Sequence, residues 1–278
     1  MSLSGKIKAT AATDTGRIRE HNEDAIGCDP DLGLLVLADG MGGYNAGEVA
    51  SGIAVKTVLS QVTAALETIP DRTEIEPESG LRRDAIILRD AIFRANRIIH
   101  NTAQTKSECQ GMGTTVVACL FYDDKIAFAH VGDSRLYRMR EGKLDQLTMD
   151  HSLLQELVDR GFYSREEAQR STNKNYVTRA LGVEPNVDVE VHEAEVLPGD
   201  FYLLCSDGLS DMVEDDDIQL TISTFHANLD VVGQQLIRLS NDQGGRDNIS
   251  LMLAHVAQPF PARKGLLGNV LSWFNSSK

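Results

Sequence analysis

The chain has 278 residues, 42% of them hydrophobic and 24% charged, with a net charge of −14. This is the composition of an ordinary globular protein with a sizeable core, and its acidity argues against nucleic acid as a partner, because neutralising phosphates takes Lys and Arg. The four cysteines, Cys28, Cys109, Cys119 and Cys205, form no CxxC pair and no metal-type spacing, which excludes a zinc module and a disulfide scaffold. Residues 1–14 lack the apolar stretch of a signal peptide, and no run approaches the roughly 18–20 apolar residues of a membrane span. A cytoplasmic protein is expected.

Taken in chain order, residues 7–13 read as a first strand and 32–38 as a second. Residues 48–66 carry Val49, Ile53, Val55, Leu59, Val62 and Leu66 at helical spacing. A Pro- and acid-rich loop over 70–80 leads to the strongest amphipathic pattern, Leu81, Ala85, Leu88, Ile92, Ala95 and Ile99. Two hairpins follow, 114–122 with 125–131 around Asp123-Asp124, and 134–140 with 143–147 around Glu141-Gly142. Short helices are expected over 152–160 and 164–170. Strands are expected over 187–191 and 201–206, joined through residues 197–200. Helices over 215–225 and 229–239 precede a last strand over 248–256, and a boundary falls near Gln258-Pro259. Paired helices and hairpins favour antiparallel sheets with helices outside over a parallel βαβ order.

Five strand ends carry acids beside glycine or small polar residues. LLVLADGMGG runs four apolar residues and an alanine into Asp39; YLLCSDGLSD does the same at Asp207. FAHVGDSR places Asp133 after an apolar strand, GGRDNISLML places Asp247 before one, and RIREHNEDAIG places Glu23 and Asp24 before another. Each acid alone is best explained as a turn or cap residue. Five together at one rim would repel one another unless cations lay between them. An all-oxygen donor set with no paired His or Cys favours hard ions, Mg2+ or Mn2+. Two such ions suit phosphate-ester hydrolysis, and Arg19, four residues before Glu23, is the natural phosphate ligand.

These residues resemble the metal-dependent Ser/Thr protein phosphatases of type 2C in their bacterial form. GRIREHNEDA, LADGMGG, the GMGTT run at 111–115, HVGDSR, CSDGLSD and GGRDN occur in that family's order between about Thr13 and Val256. The resemblance implies an α+β fold, a four-layer α-β-β-α sandwich of two antiparallel sheets flanked by antiparallel helix pairs, over residues 1–257. It implies that Asp39 bridges two core Mn2+ or Mg2+ ions, that Glu23 and the Gly40 carbonyl serve one, and that Asp207 and Asp247 serve the other. Asp24 acts through water, Asn248 orients neighbours, Asp133 with Asp207 forms a third, weaker ion site, and Arg19 holds the substrate phosphate. The implied reaction is hydrolysis of phosphoserine or phosphothreonine by a hydroxide bridging the ions, reversing Ser/Thr kinase signalling. Some members carry a histidine, proposed as the general acid, where this chain has Met41, which has no proton to give; a water at the Asp133 site is the expected substitute. His21 is read as a polar loop residue. Residues 151–182 resemble the family's substrate-selecting flap, with Ser171-Thr172 where relatives often have His-Pro.

The acidic run 214–217 lacks EF-hand spacing and reads as a helix start. The tail 258–278 carries three basic residues and no acid, and Leu266, Leu267, Val270, Leu271, Trp273 and Phe274 could share one face of a short amphipathic helix. A terminal helix docked on the domain, or simple disorder, is favoured over membrane-surface or partner binding. Expected partners are phosphorylated Ser/Thr proteins and a cognate kinase, with the chain a monomer. Two rivals remain: a phosphoprotein-binding module on an inactive phosphatase fold, and a stress-signalling phosphatase, which usually carries an attached sensor domain.

Overall fold

The computed structural model describes residues 3–43, 46–69, 74–164, 167 and 176–260. Two antiparallel sheets are stacked face to face. One has the order β1-β11-β10-β7-β8, built from β1 (Ile7–Asp14), β11 (Ile249–Val256), β10 (Phe201–Cys205), β7 (Arg135–Arg140) and β8 (Lys143–Gln146). The other has the order β2-β3-β5-β6-β9, from β2 (Asp24–Asp29), β3 (Leu34–Met41), β5 (Val116–Tyr122), β6 (Lys125–Val131) and β9 (Glu190–Glu195), with the short β4 (Gly113–Thr114) added on β3.

The strands at the centre read as apolar runs because both of their faces are covered. In β3, Leu35 and Leu37 point between the sheets, where they meet Tyr202, Leu204, Met252 and Phe121, while Leu34, Val36 and Ala38 face a helical layer. That layer is α1 (Ala46–Thr68) packed with α2 (Arg83–Thr105). On the opposite face Leu203, Cys205 and Leu253 pack on Ile218 and Ile222 of α5 (Asp215–Phe225) and on Val232 and Leu236 of α6 (Leu229–Asp242). The described residues also form the shorter helices α3 (Leu153–Asp159) and α4 (Asp207–Ser210) and a 3-10 turn at Ser107–Cys109. The expected α-β-β-α sandwich is present.

Three differences from the sequence reading have local causes. The strand expected over 187–191 is instead Glu190–Glu195, and it lies in the other sheet from β10, so residues 197–200 cross between sheets rather than closing a hairpin. Val187 and Val189 pack on the helical layer from an irregular segment that precedes the strand. No residue of β9 is fully buried, and His192 and Glu195 are exposed, in keeping with its place at the edge of the sheet. Secondly, α1 is by length and mean hydropathy, 1.4, able to cross a membrane, which the run-by-run reading excluded. Its Ala50, Ala54, Val58 and Val62 are buried under the helical layer, as in a core helix. Thirdly, Phe260, beyond the expected boundary, is buried in the intersheet core edge-on to Phe121. The remainder of the tail and most of the helix expected over 164–170 lie outside the described residues, although Ser164 and Glu167 exchange the reciprocal bonds of a capping box.

Candidate metal centre

The acids converge on one rim of the sandwich because antiparallel strands end there together. Asp24 and Asp39 are direct register partners on β2 and β3. Asp207 follows β10, Asp247 precedes β11, and Asp133 sits in the turn between β6 and β7. The two sheets are joined at this rim by the Ser206 hydroxyl, which donates to Asp24 Oδ2 at 2.9 Å. They are joined again by Asn248, whose Oδ1 accepts the Glu23 N–H at 2.8 Å. Asn248 Nδ2 also donates to the carbonyls of Thr15 (3.0 Å) and His21 (2.9 Å), so one buried amide clamps the whole loop that carries Arg19 and Glu23.

Asp39 is held by the GMGTT run. Its carbonyl accepts from the Thr115 N–H (2.8 Å) and the Thr114 hydroxyl (2.8 Å), and its N–H donates to Thr115 Oγ1 (3.1 Å). Thr115 Oγ1 in turn shares a hydrogen bond with Ser134 Oγ at 2.7 Å, one residue from Asp133. Glu23 lies at the start of α1, where the Gly47 N–H bonds its carboxylate and the helix dipole favours negative charge. Glycine is required at two crossings here. A Cβ on Gly40 would come within 2.2 Å of the Gly47 carbonyl oxygen and 2.5 Å of that of Glu23, and one on Gly47 within 2.8 Å of Glu23 Oε1.

The electrostatics follow from this crowding. Burial, then the charges of Asp24, Asp207, Asp133 and Asp247, push the Asp39 carboxyl well above the ordinary range. Asp207 is raised likewise by burial and by Asp133, Asp211 and Asp247. Burial carries Asp24 and Asp133 each up to about 6, with Asp247 adding to the first and Asp150 and Asp211 to the second. Asp24 Oδ1 and Asp207 Oδ1 are buried with no hydrogen-bond partner among the described residues. Buried acceptors of this kind are costly unless a donor or a cation meets them. The donor set is all oxygen, and its orphaned atoms come from both sheets. It fits hard divalent ions.

The expected residues are brought together with one qualification. Arg19 is half exposed, 51%, and its Nη2 is paired with Asp247 Oδ2 at 2.6 Å, so in this state its guanidinium neutralises one of the acids at the mouth of the site. Met41 pairs with Gly113 across β3 and β4, and the His21 side chain is exposed. Sequence reasoning missed Thr115, Ser134 and Ser206, although each lies inside a quoted motif, Ser134 and Ser206 directly beside an acid. It also missed Asp211, one helical turn beyond Asp207. Asp133, Asp207 and Asp211 line a cavity of about 170 Å3 closed on its far side by Leu154 and Val158 of α3. Its floor is the Arg135–Asp150 pair, in which Nε and Nη2 engage both carboxylate oxygens at 2.7–3.1 Å.

Comparison with known proteins gives the family. The pattern of the Protein phosphatase 2C family matches residues 17–253. The serine/threonine phosphatase stp of Listeria welshimeri is 39% identical over 250 residues, covering 89% of this chain and 95% of its own. The serine/threonine protein phosphatase PstP of Mycobacterium tuberculosis is 37% identical over 252 residues, and the match spans 45% of that longer protein. Among solved structures, that of the M. tuberculosis phosphatase PstP/Ppp superposes with a TM-score of 0.78 at 35% identity, over 91% of this chain and 99% of the other. The PstP catalytic domain in complex with two manganese ions gives 0.75 at 35% identity, with the same coverage. A shared fold, an acidic rim built from the family's motifs and whole-domain identity to named phosphatases lead to one conclusion: the chain belongs to the protein phosphatase 2C family and is a serine/threonine phosphoprotein phosphatase of the bacterial type.

Proposed function

We propose that the rim is a two-ion centre for Mn2+ or Mg2+. Asp39 is the shared ligand, Glu23 and the Gly40 carbonyl lie on one side, and Asp207 and Asp247 lie on the other. The observation that carries this reading is the buried Asp39 carboxylate ringed by Asp24, Asp207, Asp133 and Asp247, where burial first and those charges second oppose its ionisation and bound cations would favour it. When bound, the ions supply Lewis acidity to a water nucleophile and to the phosphoryl oxygens.

The residues of the chain do the rest. Thr114, Thr115 and Gly40 fix the end of β3, so that the Asp39 carboxylate does not swing. Asp24 is backed by Ser206 and holds water next to the ligands rather than binding an ion itself. Arg19, released from Asp247, turns its planar fork to the phosphate of the incoming phosphoserine or phosphothreonine. Its exposure and its place at the mouth support that role. Met41 has no proton for the leaving alkoxide, so the proton comes from water on the Asp133 side. Asp133 and Asp207, with burial and mutual repulsion alike, suit a third and weaker ion. Substrates are phosphorylated Ser/Thr proteins, marked by a cognate kinase, and the enzyme acts as a cytoplasmic monomer.

The test is phosphate release from a phosphothreonine peptide, first in EDTA and then with Mn2+, for wild type and Asp39→Asn. Turnover that requires Mn2+ and disappears in the variant supports the centre. Turnover that survives both treatments rules it out.

A further inference from the structure

Behind the Asp133 turn lies a second cluster of titratable groups. His130 of β6 and His151 are buried and stacked, with ring centroids 4.5 Å apart, and Glu190 of β9 closes the group. Their donor atoms lie within 4.8 Å of one another, as at a metal site. The hydrogen bonds argue against that use. Burial holds His151 below the ordinary histidine pKa, so the ring is neutral, and its Nδ1 accepts the Gly132 N–H at 3.1 Å. In that tautomer Nε2 carries the proton, which it donates to Glu190 Oε2 at 3.2 Å. His130 gives its Nε2–H to the Met149 carbonyl at 2.8 Å. One ring nitrogen, His130 Nδ1, is left, too few for a nitrogen-rich ion.

What this arrangement does instead is grip one residue, Gly132, at both its N–H and its carbonyl. The main-chain N–H of His151 donates to the Gly132 carbonyl at 2.9 Å, while the imidazole takes the Gly132 N–H. Gly132 has φ +109, a conformation that ordinary side chains resist, and Thr115 fills the space where its Cβ would be. The next residue is Asp133. His151 is also where the two ends of the 151–178 segment meet. Its carbonyl accepts the Thr178 N–H at 2.8 Å, Ser152 bridges to Val177, and the Leu153 N–H donates to the Tyr176 carbonyl at 2.9 Å.

We infer that His151 is a positioning residue for Asp133, locking the Gly132–Asp133 turn to the root of the 151–178 segment and thereby setting the affinity of the third ion. The inference rests on the reading of Asp133 as a ligand of that ion. A side chain that acts from behind a ligand in this way typically changes metal affinity by about tenfold to a hundredfold when altered.

The experiment is calorimetric titration of Mn2+ into the substrate-free, metal-stripped protein, which needs no turnover. Two variants separate the bond to Gly132 from the filling of space. His151→Asn places its Oδ1 where Nδ1 lies and can accept the Gly132 N–H. His151→Gln is nearer in size, but its acceptor lies at the Nε2 position. The expected result is that His151→Gln weakens the weakest ion by about tenfold or more with the tighter ions unchanged, and that His151→Asn restores it. Equal affinity in wild type and His151→Gln, or better retention in Gln than in Asn, overturns the inference. Should His151→Gln fail to fold, His151→Asn decides alone, since loss of the weakest ion there contradicts the proposal. Asp133→Asn, titrated in parallel, separates the two levels. If it keeps every ion, the third-site reading itself is wrong; if it loses the weakest ion while His151→Gln keeps it, only the role of His151 is wrong.

Discussion

Replacing Asp39 by Asn should stabilise the metal-free protein while it destroys the enzyme. Asp24 and Asp133 each titrate near 6 rather than 3.8, a difference of about 3 kcal/mol apiece at neutral pH. Asp39 and Asp207 are raised further. For Asp39 itself the cost comes from its own burial and from the charges of Asp24, Asp207, Asp133 and Asp247 around it, and a neutral Asn bears neither. Relief of that cost gives a gain on the order of 1–3 kcal/mol at pH 7.5, or about 2–12 °C in melting temperature for a domain of this size. The Asn amide can donate to the orphaned carboxylate oxygens around it, so no new unsatisfied group offsets the gain. The sign with pH is fixed. Between about 4 and 6 the folded wild type binds more protons than the unfolded chain, so its stability falls as pH rises through that window. The advantage of the variant should therefore be largest at pH 7.5 and nearly gone at pH 4. Excess Mn2+ should reverse the order, adding about 2.7 kcal/mol to wild type at a hundredfold over its dissociation constant and much less to Asp39→Asn. The assay is thermal melting followed by circular dichroism, in EDTA and in Mn2+, across that pH range. A variant less stable than wild type in EDTA at pH 7.5, or equally stabilised by Mn2+, would refute the reasoning.

Asn248→Ala removes three hydrogen bonds from a buried amide and leaves the Glu23 N–H without its acceptor; a loss of about 2–4 kcal/mol is expected in urea unfolding, and a change under 1 kcal/mol would count against the clamp. Gly40→Ala pushes a methyl into the Gly47 and Glu23 carbonyls, so the start of α1 must separate from β3. Its soluble yield and melting temperature should drop well below wild type, by about 3 kcal/mol or more, and a near-native melt would show that the crossing can relax. Arg19→Ala should leave stability within about 1 kcal/mol, because its pair with Asp247 is exposed. Its kcat/KM on a phosphothreonine peptide should fall about tenfold to a hundredfold, the worth of a charge-assisted bond to phosphate, and unchanged kinetics would remove Arg19 from the phosphate site.

Much of this protein is legible along the chain because local rules act on local residues. The spacing of Leu88, Ile92, Ala95 and Ile99 fixes one buried face of α2 whatever that face packs on. Asp123 and Glu141 take positive φ at the tips of the two expected hairpins. Acids after apolar strands mark the rim, since carboxylates at such places need a partner. Other features depend on residues that are neighbours only in space. The side of the sandwich that β9 joins is set by pairing with β6, about 60 residues earlier, and nothing in the mixed polar and apolar residues of 190–195 marks that side. The hold of Thr115 on Asp39, of Ser206 on Asp24 and of His151 on Gly132 is equally invisible in sequence, because a hydroxyl or imidazole looks the same whether it faces solvent or a buried amide. Sequence determined which groups the chain brings to its rim. The tertiary structure decided which of them are crowded, orphaned or clamped, because desolvation and hydrogen-bond geometry exist only once the two sheets have closed on each other.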